Sequence, residues 1–168
     1  MKSTILRPHN RAHSYRLLFL CYVLLLTACG YQTNDLPRDP AHTSDRILAS
    51  GEIRIGLIEN RRDDDFVELI QARLVDLLER RMSAKARYQY GSAALLIPLL
   101  ERGELDMVLG RFDGSSPWKK RVFLATPLGE LGHPSGSQVY QAALRNGENA
   151  WISIVDSGSY RLREESQE

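Results

Sequence analysis

The sequence predicts an α/β fold with a mainly parallel sheet and flanking helices. Three strand-like segments, 52–58, 86–90 and 105–109, alternate with two helix-like segments. This order within about 60 residues is typical of parallel strands joined by right-handed crossovers. The chain has 168 residues, of which 43% are hydrophobic, so we expect one domain with an ordinary core.

The first strand and first long helix have the clearest patterns. Residues 52–58 place β-branched side chains at strand spacing after Gly51. An apolar stripe at helical spacing follows, made up of Phe66, Leu69, Ile70, Leu74, Leu77 and Leu78. The run Asp63 to Asp65 allows two interpretations. Asp65 suits a helix N-cap, whereas a cation-binding loop of EF-hand type needs a Gly and a distal Glu that this spacing lacks. We therefore expect capping and no metal site.

A second strand and helix follow. Residues 86–90 are strand-like, and 93–102 have helical character with Gly103 in the position typical of a helix C-terminus. Pro98 lies inside this segment, so we expect regular helix only from about 95–97.

The last elements are marked by capping residues. The third strand, 105–109, ends at Gly110, and Ser116–Pro117 has the Ser-cap and first-turn Pro of a helix start. Asn149 is a candidate cap for a final helix from about Ala150.

The N-terminus has the layout of a secretory signal peptide. Its four basic residues, Lys2, Arg7, Arg11 and Arg16, precede an apolar run at 17–26. That run is shorter than the roughly 20 residues needed to cross a bilayer. The following Leu-Thr-Ala-Cys ends at Cys29 and resembles a bacterial lipobox. We therefore expect a lipoprotein signal peptide at 1–28 and acyl chains such as palmitate on Cys29. An uncleaved anchor, or an ordinary signal peptide with a coincidental cysteine, is the alternative.

The rest of the chain then divides in two. Residues 29–45 are polar and interrupted by proline, which predicts a flexible tether, and 46–168 form a single lobe. Cys21 leaves with the signal peptide, so the lobe has neither free thiol nor disulfide. Without the four leading basic residues, 18 basic residues face 21 acidic ones, a net charge of −3. This argues against a nucleic-acid partner. We expect the protein in the cell envelope, facing the periplasm and anchored to the inner or outer membrane.

Candidate ligand-binding residues lie after the strands. Ligands of open α/β sheets bind beyond the carboxyl ends of the strands. Asn60 follows the first strand, and Arg111, Asp113 and Trp118 follow the third. Arg111 suits an anionic ligand, although a solvated surface arginine is equally consistent with its position. Trp118 either lines the ligand face or packs against the sheet edge, and packing is favoured because large aromatic side chains are highly buried on average.

Nothing in the sequence predicts catalysis. The histidines are scattered, and no G-x-S-x-G elbow precedes a helix. No cofactor or metal is expected, and the sequence predicts a protein that is not an enzyme.

Three sequence blocks resemble the family 3 periplasmic solute-binding proteins. Residues 51–56 look like the opening strand of that family. Residues 96–108 are similar to its IP-x-L-x-x-G-x-(I/L)-D signature, and 122–128 stand where it has V-x-F-S-x-P-Y. Members have two α/β lobes that close on a solute and pass it to an ABC permease. The resemblance implies lobe 1 of a type 2 periplasmic binding protein.

The chain departs from this family in two respects. Residues 138–149 resemble the strand and turn that return from lobe 2, but only the Gly/Pro/Ser-rich loop 129–137 stands where lobe 2 belongs. The second lobe is therefore expected to be absent, either in a functional short form or in a truncated gene. Amino-acid-binding members also have an arginine for the substrate carboxylate where this chain has Trp118.

Two functions follow as hypotheses. One is a membrane-anchored solute-binding module associated with transport of a small molecule, with a transporter or a second copy as partner. The other is an envelope interaction or sensory protein that has lost ligand binding. Convergence of Asn60, Arg111, Asp113 and Trp118 on one concave surface favours the first, and a buried Trp118 favours the second.

Overall fold

The computed structural model describes residues 39–59, 65–131 and 138–166, all within one compact unit. Its helices are α1 (Thr43–Ser50), α2 (Asp65–Met82), α3 (Ala93–Glu101) and α4 (Asn149–Glu165). Its strands are β1 (Glu52–Ile58), β2 (Lys85–Gly91), β3 (Met107–Asp113), β4 (Val122–Leu124), β5 (Gly129–Leu131) and β6 (Gln138–Arg145). A short 3-10 helix at Pro117–Lys120 leads into β4.

The described strands form one sheet in the order β2-β1-β3-β6-β4, with β5 also paired to β6. Strand β1 runs parallel to β2 and β3, so that Ile55 lies beside Tyr88 on one side and Met107 on the other. Strand β6 is antiparallel to β3, β4 and β5. Five strands therefore run in one direction and β6 alone runs in the other, which confirms the predicted α/β class.

The sheet separates two apolar layers. Because side chains alternate along a strand, Ile53, Ile55 and Leu57 of β1 face a large cluster that includes residues of α2 and α4. The opposite face packs on α3 through a smaller cluster that includes Val108 and Phe112. These two layers hold the carboxyl ends of the strands in place.

Close packing on the α3 face requires glycine at two strand positions. A Cβ on Gly56 would lie 2.9 Å from Leu105 Cδ1. A Cβ on Gly110 would lie 2.7 Å from Ile58 Cδ1.

Two element boundaries differ from the predictions. Helix α3 is regular from Ala93 although it contains Pro98, because Leu96, Ile97 and Leu100 are buried against the sheet and hold it there. Strand β3 continues past Gly110 to Asp113, because its last three residues pair with β6. That pairing is long-range and leaves no local signal in the sequence.

The predicted tether at 29–45 extends too far. Helix α1 already begins at Thr43, and the residues before it are attached to the start of α4. The buried Glu148 carboxylate accepts hydrogen bonds from Ala41 N (2.8 Å) and Thr43 N (3.1 Å). Residues 39–45 are therefore part of the folded lobe.

The start of α4 is capped by a distant residue. Asp39 Oδ1 accepts hydrogen bonds from Ala150 N (2.8 Å) and Trp151 N (3.0 Å). The first backbone N–H groups of a helix have no partner within it, so a carboxylate from elsewhere in the chain can satisfy them. The prediction that Asn149 caps this helix is therefore wrong.

No helix within the described ranges is both long enough and apolar enough to cross a membrane.

Candidate functional site

The carboxyl ends of the parallel strands lie along one edge of the sheet. Strands β1, β2 and β3 end at Ile58, Gly91 and Asp113. Ile58 pairs with Gly91 across the first two strands. This edge is where open α/β sheets bind ligands. Asn60, the candidate that follows β1, lies outside the described residues.

Arg111 lies near the end of β3 and is half-buried. Its register partner is Tyr140 of β6, which is buried and donates a hydrogen bond from its hydroxyl to Gln71 of α2. Because Tyr140 belongs to the cluster beneath α2 and α4, Arg111 is placed on that same face of the sheet. A guanidinium there has the geometry to hold a carboxylate or another anion.

Asp113 lies two residues further along and is exposed. Its Oδ1 accepts hydrogen bonds from both the backbone N and the hydroxyl of Ser115, each at 2.8 Å. These bonds hold the turn that leaves β3, in the manner typical of aspartate in turns. One carboxylate oxygen of Asp113 thus stabilises the turn at the edge of the candidate site.

Trp118 lies on the other side of the sheet. It is half-buried and packs against the cluster that contains Phe112 and residues of α3. The centre of the Arg121 guanidinium lies 5.3 Å from the centroid of the Trp118 ring, a cation–π distance. Arg121 also forms an ion pair with Glu101 of α3, which raises the pKa of Arg121 and lowers that of Glu101.

The structure therefore brings two of the predicted site residues together and separates a third. Arg111 and Asp113 are two residues apart on one strand and lie on the same face of the sheet. Trp118 packs on the opposite face. The prediction that all four candidates bind a ligand remains a prediction.

A buried charge cluster, which sequence reasoning did not single out, lies near the amino ends of β1 and β3. The Asp106 carboxylate is buried and forms ion pairs with Arg46 of α1 and with Arg54 of β1. Its Oδ2 also accepts a hydrogen bond from Arg54 N (2.7 Å). The Asp106 carbonyl accepts one from Trp151 Nε1 (2.8 Å). This cluster joins α1, β1, β3 and α4, and it lies at the end opposite the candidate ligand edge.

The signal for this cluster was present in the sequence. Asp106 ends the Gly-x-Leu-Asp stretch just before a strand, where a carboxylate that is buried among apolar residues needs a cationic partner. Arg54 alternates with buried isoleucines on β1. The sequence alone does not show that the two side chains meet.

Among the residues that the structure describes, no group of three or more His, Cys, Asp or Glu side chains is arranged to hold a metal ion. Asp63 and Asp64 lie outside the described residues.

The comparisons with known proteins give matches among solved structures. No family profile and no curated protein sequence matches the chain. The arginine-bound form of domain 1 from TmArgBP aligns with a TM-score of 0.57 and 20% identity, covering 70% of this chain and 98% of that one. The chain has the fold of one lobe of a periplasmic binding protein.

Two further solved structures have the same fold. An ancestral cationic amino acid solute-binding protein, AncCDT-1, aligns with a TM-score of 0.59 and 12% identity, covering 74% of this chain and 95% of that one. An amino acid ABC transporter substrate-binding protein from Streptococcus pneumoniae, bound to L-arginine, aligns with a TM-score of 0.59 and 9% identity, covering 74% and 93%. AncCDT-1 is also described as a precursor of cyclohexadienyl dehydratase. At these identities the likeness concerns the fold of the lobe.

Proposed function

We propose that this protein is a small-solute-binding module of the cell envelope, anchored by lipid on Cys29. The observation that carries the proposal is the match to an isolated lobe. Domain 1 of TmArgBP corresponds to the fold of this chain over 98% of its length and is itself an arginine-bound form. A single lobe of this fold therefore has a precedent for holding a ligand without its second lobe.

The ligand chemistry follows from the charges at the carboxyl edge of the sheet. Arg111 offers a guanidinium for a carboxylate, and Asp113 two residues along offers a carboxylate for an ammonium group. A small amino acid or amino-acid-like zwitterion suits this pair, and we propose Asn60 as a further contact. Trp118 is not a direct contact in this proposal, because it packs against the apolar cluster on the α3 face of the sheet.

One lobe leaves half of such a site open. Ligand pockets usually bury most of the surface of a small ligand. We therefore propose that a transporter subunit or a second copy of the chain covers the bound solute. Facing the periplasm at the inner or outer membrane, a module of this kind delivers or reports a solute and carries out no chemistry on it.

The test is thermal unfolding of residues 30–168 against arginine, other amino acids, polyamines and small organic anions. A ligand that binds only the folded protein stabilises it by about 2.7 kcal/mol at a hundredfold excess over its Kd. We expect a saturable rise in Tm with one compound class. The Arg111→Gln variant should lose this rise, while the matched Arg102→Gln variant, which changes an exposed arginine next to α3, should keep it. A cooperative transition that no compound shifts would contradict solute binding.

The second candidate function is an envelope interaction or sensory protein without a solute. The position of Trp118 favours it, because the aromatic residue packs on the face opposite Arg111. If no compound shifts the Tm, the next measurement is crosslinking of the anchored protein in the membrane. A single reproducible protein adduct would then support this second function.

A further inference from the structure

The outer surfaces of α2 and α4 enclose a groove remote from the carboxyl edge of the sheet. Its floor includes Leu77 of α2 and Gly158 of α4. A Cβ on Gly158 would lie 3.2 Å from Leu77 Cδ2, so glycine permits the close approach of the two helices. The resulting cavity measures about 460 Å³, which lies within the range of small-molecule sites.

Three arginines surround this cavity. Arg80 and Arg81 are contributed by the end of α2, and Arg161 by α4. Ser157 of α4 also lines the cavity, and its hydroxyl donates a hydrogen bond to the carbonyl of Ser153 (2.6 Å). Arg81 Nη1 donates a hydrogen bond to Ser157 Oγ at 3.3 Å. This acceptor is neutral and does not compensate the charge of Arg81. The groove continues into an adjoining hollow of about 250 Å³ that Arg73 also lines.

The acidic residues of these two hollows do not balance the arginines. Asp76 forms an ion pair with Arg80. Glu165 is shared, since Arg73 Nη2 lies 2.6 Å from its Oε2 and Arg161 Nε lies 3.1 Å from its Oε1. Four guanidiniums thus face two carboxylates, so the lining carries an excess of two positive charges.

We infer that this arginine groove is a binding site for a phosphate-bearing anion. Guanidinium groups present planar pairs of donors that match phosphate oxygens, and charge-assisted bonds of this kind are strong. A phosphoryl group accepts hydrogen bonds from several sides at once, as Arg80, Arg81 and Arg161 would require. The excess charge also draws anions to the groove.

The same chemistry is offered by free phosphate and by an anionic phospholipid headgroup. The arginines at the mouth are accessible, with side-chain exposures of 69% for Arg80 and 72% for Arg161. Either a small molecule or a headgroup at a membrane surface can therefore reach them. The site is separate from the solute edge proposed above and does not depend on it.

The test is isothermal calorimetry of the full chain in uncharged detergent micelles. One arm titrates inorganic phosphate, and the other titrates micelles that contain phosphatidylglycerol, with phosphatidylcholine micelles as reference. We expect saturable, salt-sensitive binding in at least one arm. Saturable heat in the phosphate arm identifies the ligand as a free anion. Saturable heat in only the phosphatidylglycerol arm identifies the ligand as a lipid headgroup.

Matched variants distinguish the groove from general charge. The double variant Arg81→Gln with Arg161→Gln should weaken binding about tenfold or more, because each change removes a charge-assisted donor. The control, Arg87→Gln with Arg102→Gln, removes two exposed arginines from other elements and should bind as the parent does. Equal affinity of the two double variants, or no saturable heat in either arm, would overturn the inference. Circular dichroism checks that both variants are folded.

Discussion

At the scale of single residues, the Asp106 carboxylate is a buried charge that contacts two different elements of the fold. It is buried, faces the two guanidiniums of Arg46 and Arg54, and accepts the backbone N–H of Arg54. A buried carboxylate is tolerated only when it is paired in this way. The ion pairs of Asp106 therefore connect the amino ends of β1 and β3 to α1.

Asp106→Asn should destabilise the protein by about 3 kcal/mol, because it leaves two partly buried guanidiniums without their counter-charge. Urea unfolding followed by circular dichroism measures the change in free energy. The control is Asp45→Asn, which alters an exposed aspartate of α1. A loss no greater than that of the control would show that the cluster is solvated and contributes little.

Glu79 at the end of α2 gives a pH-dependent prediction. The N–H of Ala86 and the ammonium of Lys85 hold the pKa of Glu79 below its ordinary value of 4.5. A lowered pKa in the folded state contributes stability that is present above the unfolded pKa and lost as the pH falls through the folded value.

Glu79→Gln should therefore be less stable than the parent at pH 7, and the difference should shrink as the pH falls below about 4.5. Urea midpoints at pH 7 and pH 3.5 measure it. The exposed Glu68→Gln on the same helix is the control. A Glu79→Gln difference that does not change with pH would contradict this account.

The roles of single residues were predicted unevenly. Arg111 and Asp113 do lie at the end of a strand on one face, because alternation along a strand is a local property. The packing of Trp118 follows from a general preference of large aromatic residues. The partners of Asp106 were not predictable, since Arg54 precedes it by 52 residues and only the fold brings them together.

At the scale of elements, α1 and the start of α4 stabilise each other through Asp39. Its Oδ1 caps α4, while its Oδ2 accepts hydrogen bonds from the backbone and hydroxyl of Ser44. One carboxylate thus supports two helix starts.

Asp39→Ala should cost about 1–2 kcal/mol, the range for losing a helix cap. Asp39→Asn keeps an acceptor and should recover part of that loss. Thermal and urea unfolding of the two variants measure the effects. If Asp39→Ala were as stable as the parent, the hydrogen bonds of the Asp39 carboxylate would contribute nothing to the stability of the fold.

The contact between β1 and β3 gives a second element-scale prediction. Gly110→Ala should destabilise by about 1–3 kcal/mol, because the new methyl group meets the Ile58 side chain at 2.7 Å and both lie within packed strands. Gly114→Ala, in the turn that follows Asp113, adds a methyl group with no atom within 4 Å and is the matched control. The urea midpoints of the two variants are compared. Equal midpoints would contradict the prediction, because they would show that β1 and β3 accommodate the added methyl group without loss of stability.

Element types were easier to predict than element ends. The spacing of apolar residues predicted which segments are strands and which are helices, because this spacing depends only on residues near each other in the sequence. The extension of β3 and the regular turns of α3 depend on β6 and on the sheet face, respectively. Both depend on packing against distant parts of the chain.

At the scale of the whole molecule, we expect acylation of Cys29 to hold the lobe at a membrane. Metabolic labelling with palmitate in a bacterial host should label the parent protein and a Cys21→Ala variant but not Cys29→Ala. In a detergent phase-separation assay, the parent protein should partition into the detergent phase and the Cys29→Ala variant into the aqueous phase, because acyl chains supply the membrane affinity. Labelled Cys29→Ala, or an unlabelled parent, would contradict lipid anchoring at this residue.

The sequence by itself determined the α/β class of this protein and its likeness to one lobe of a binding protein. It did so because strand and helix periods and short turn motifs are local. Only the tertiary structure decided that β6 runs against the other strands, that Asp39 caps a helix more than 100 residues away, and that Trp118 and Arg111 lie on opposite faces. These features arise from pairing and packing between segments far apart in the chain, whose contacts local patterns do not specify.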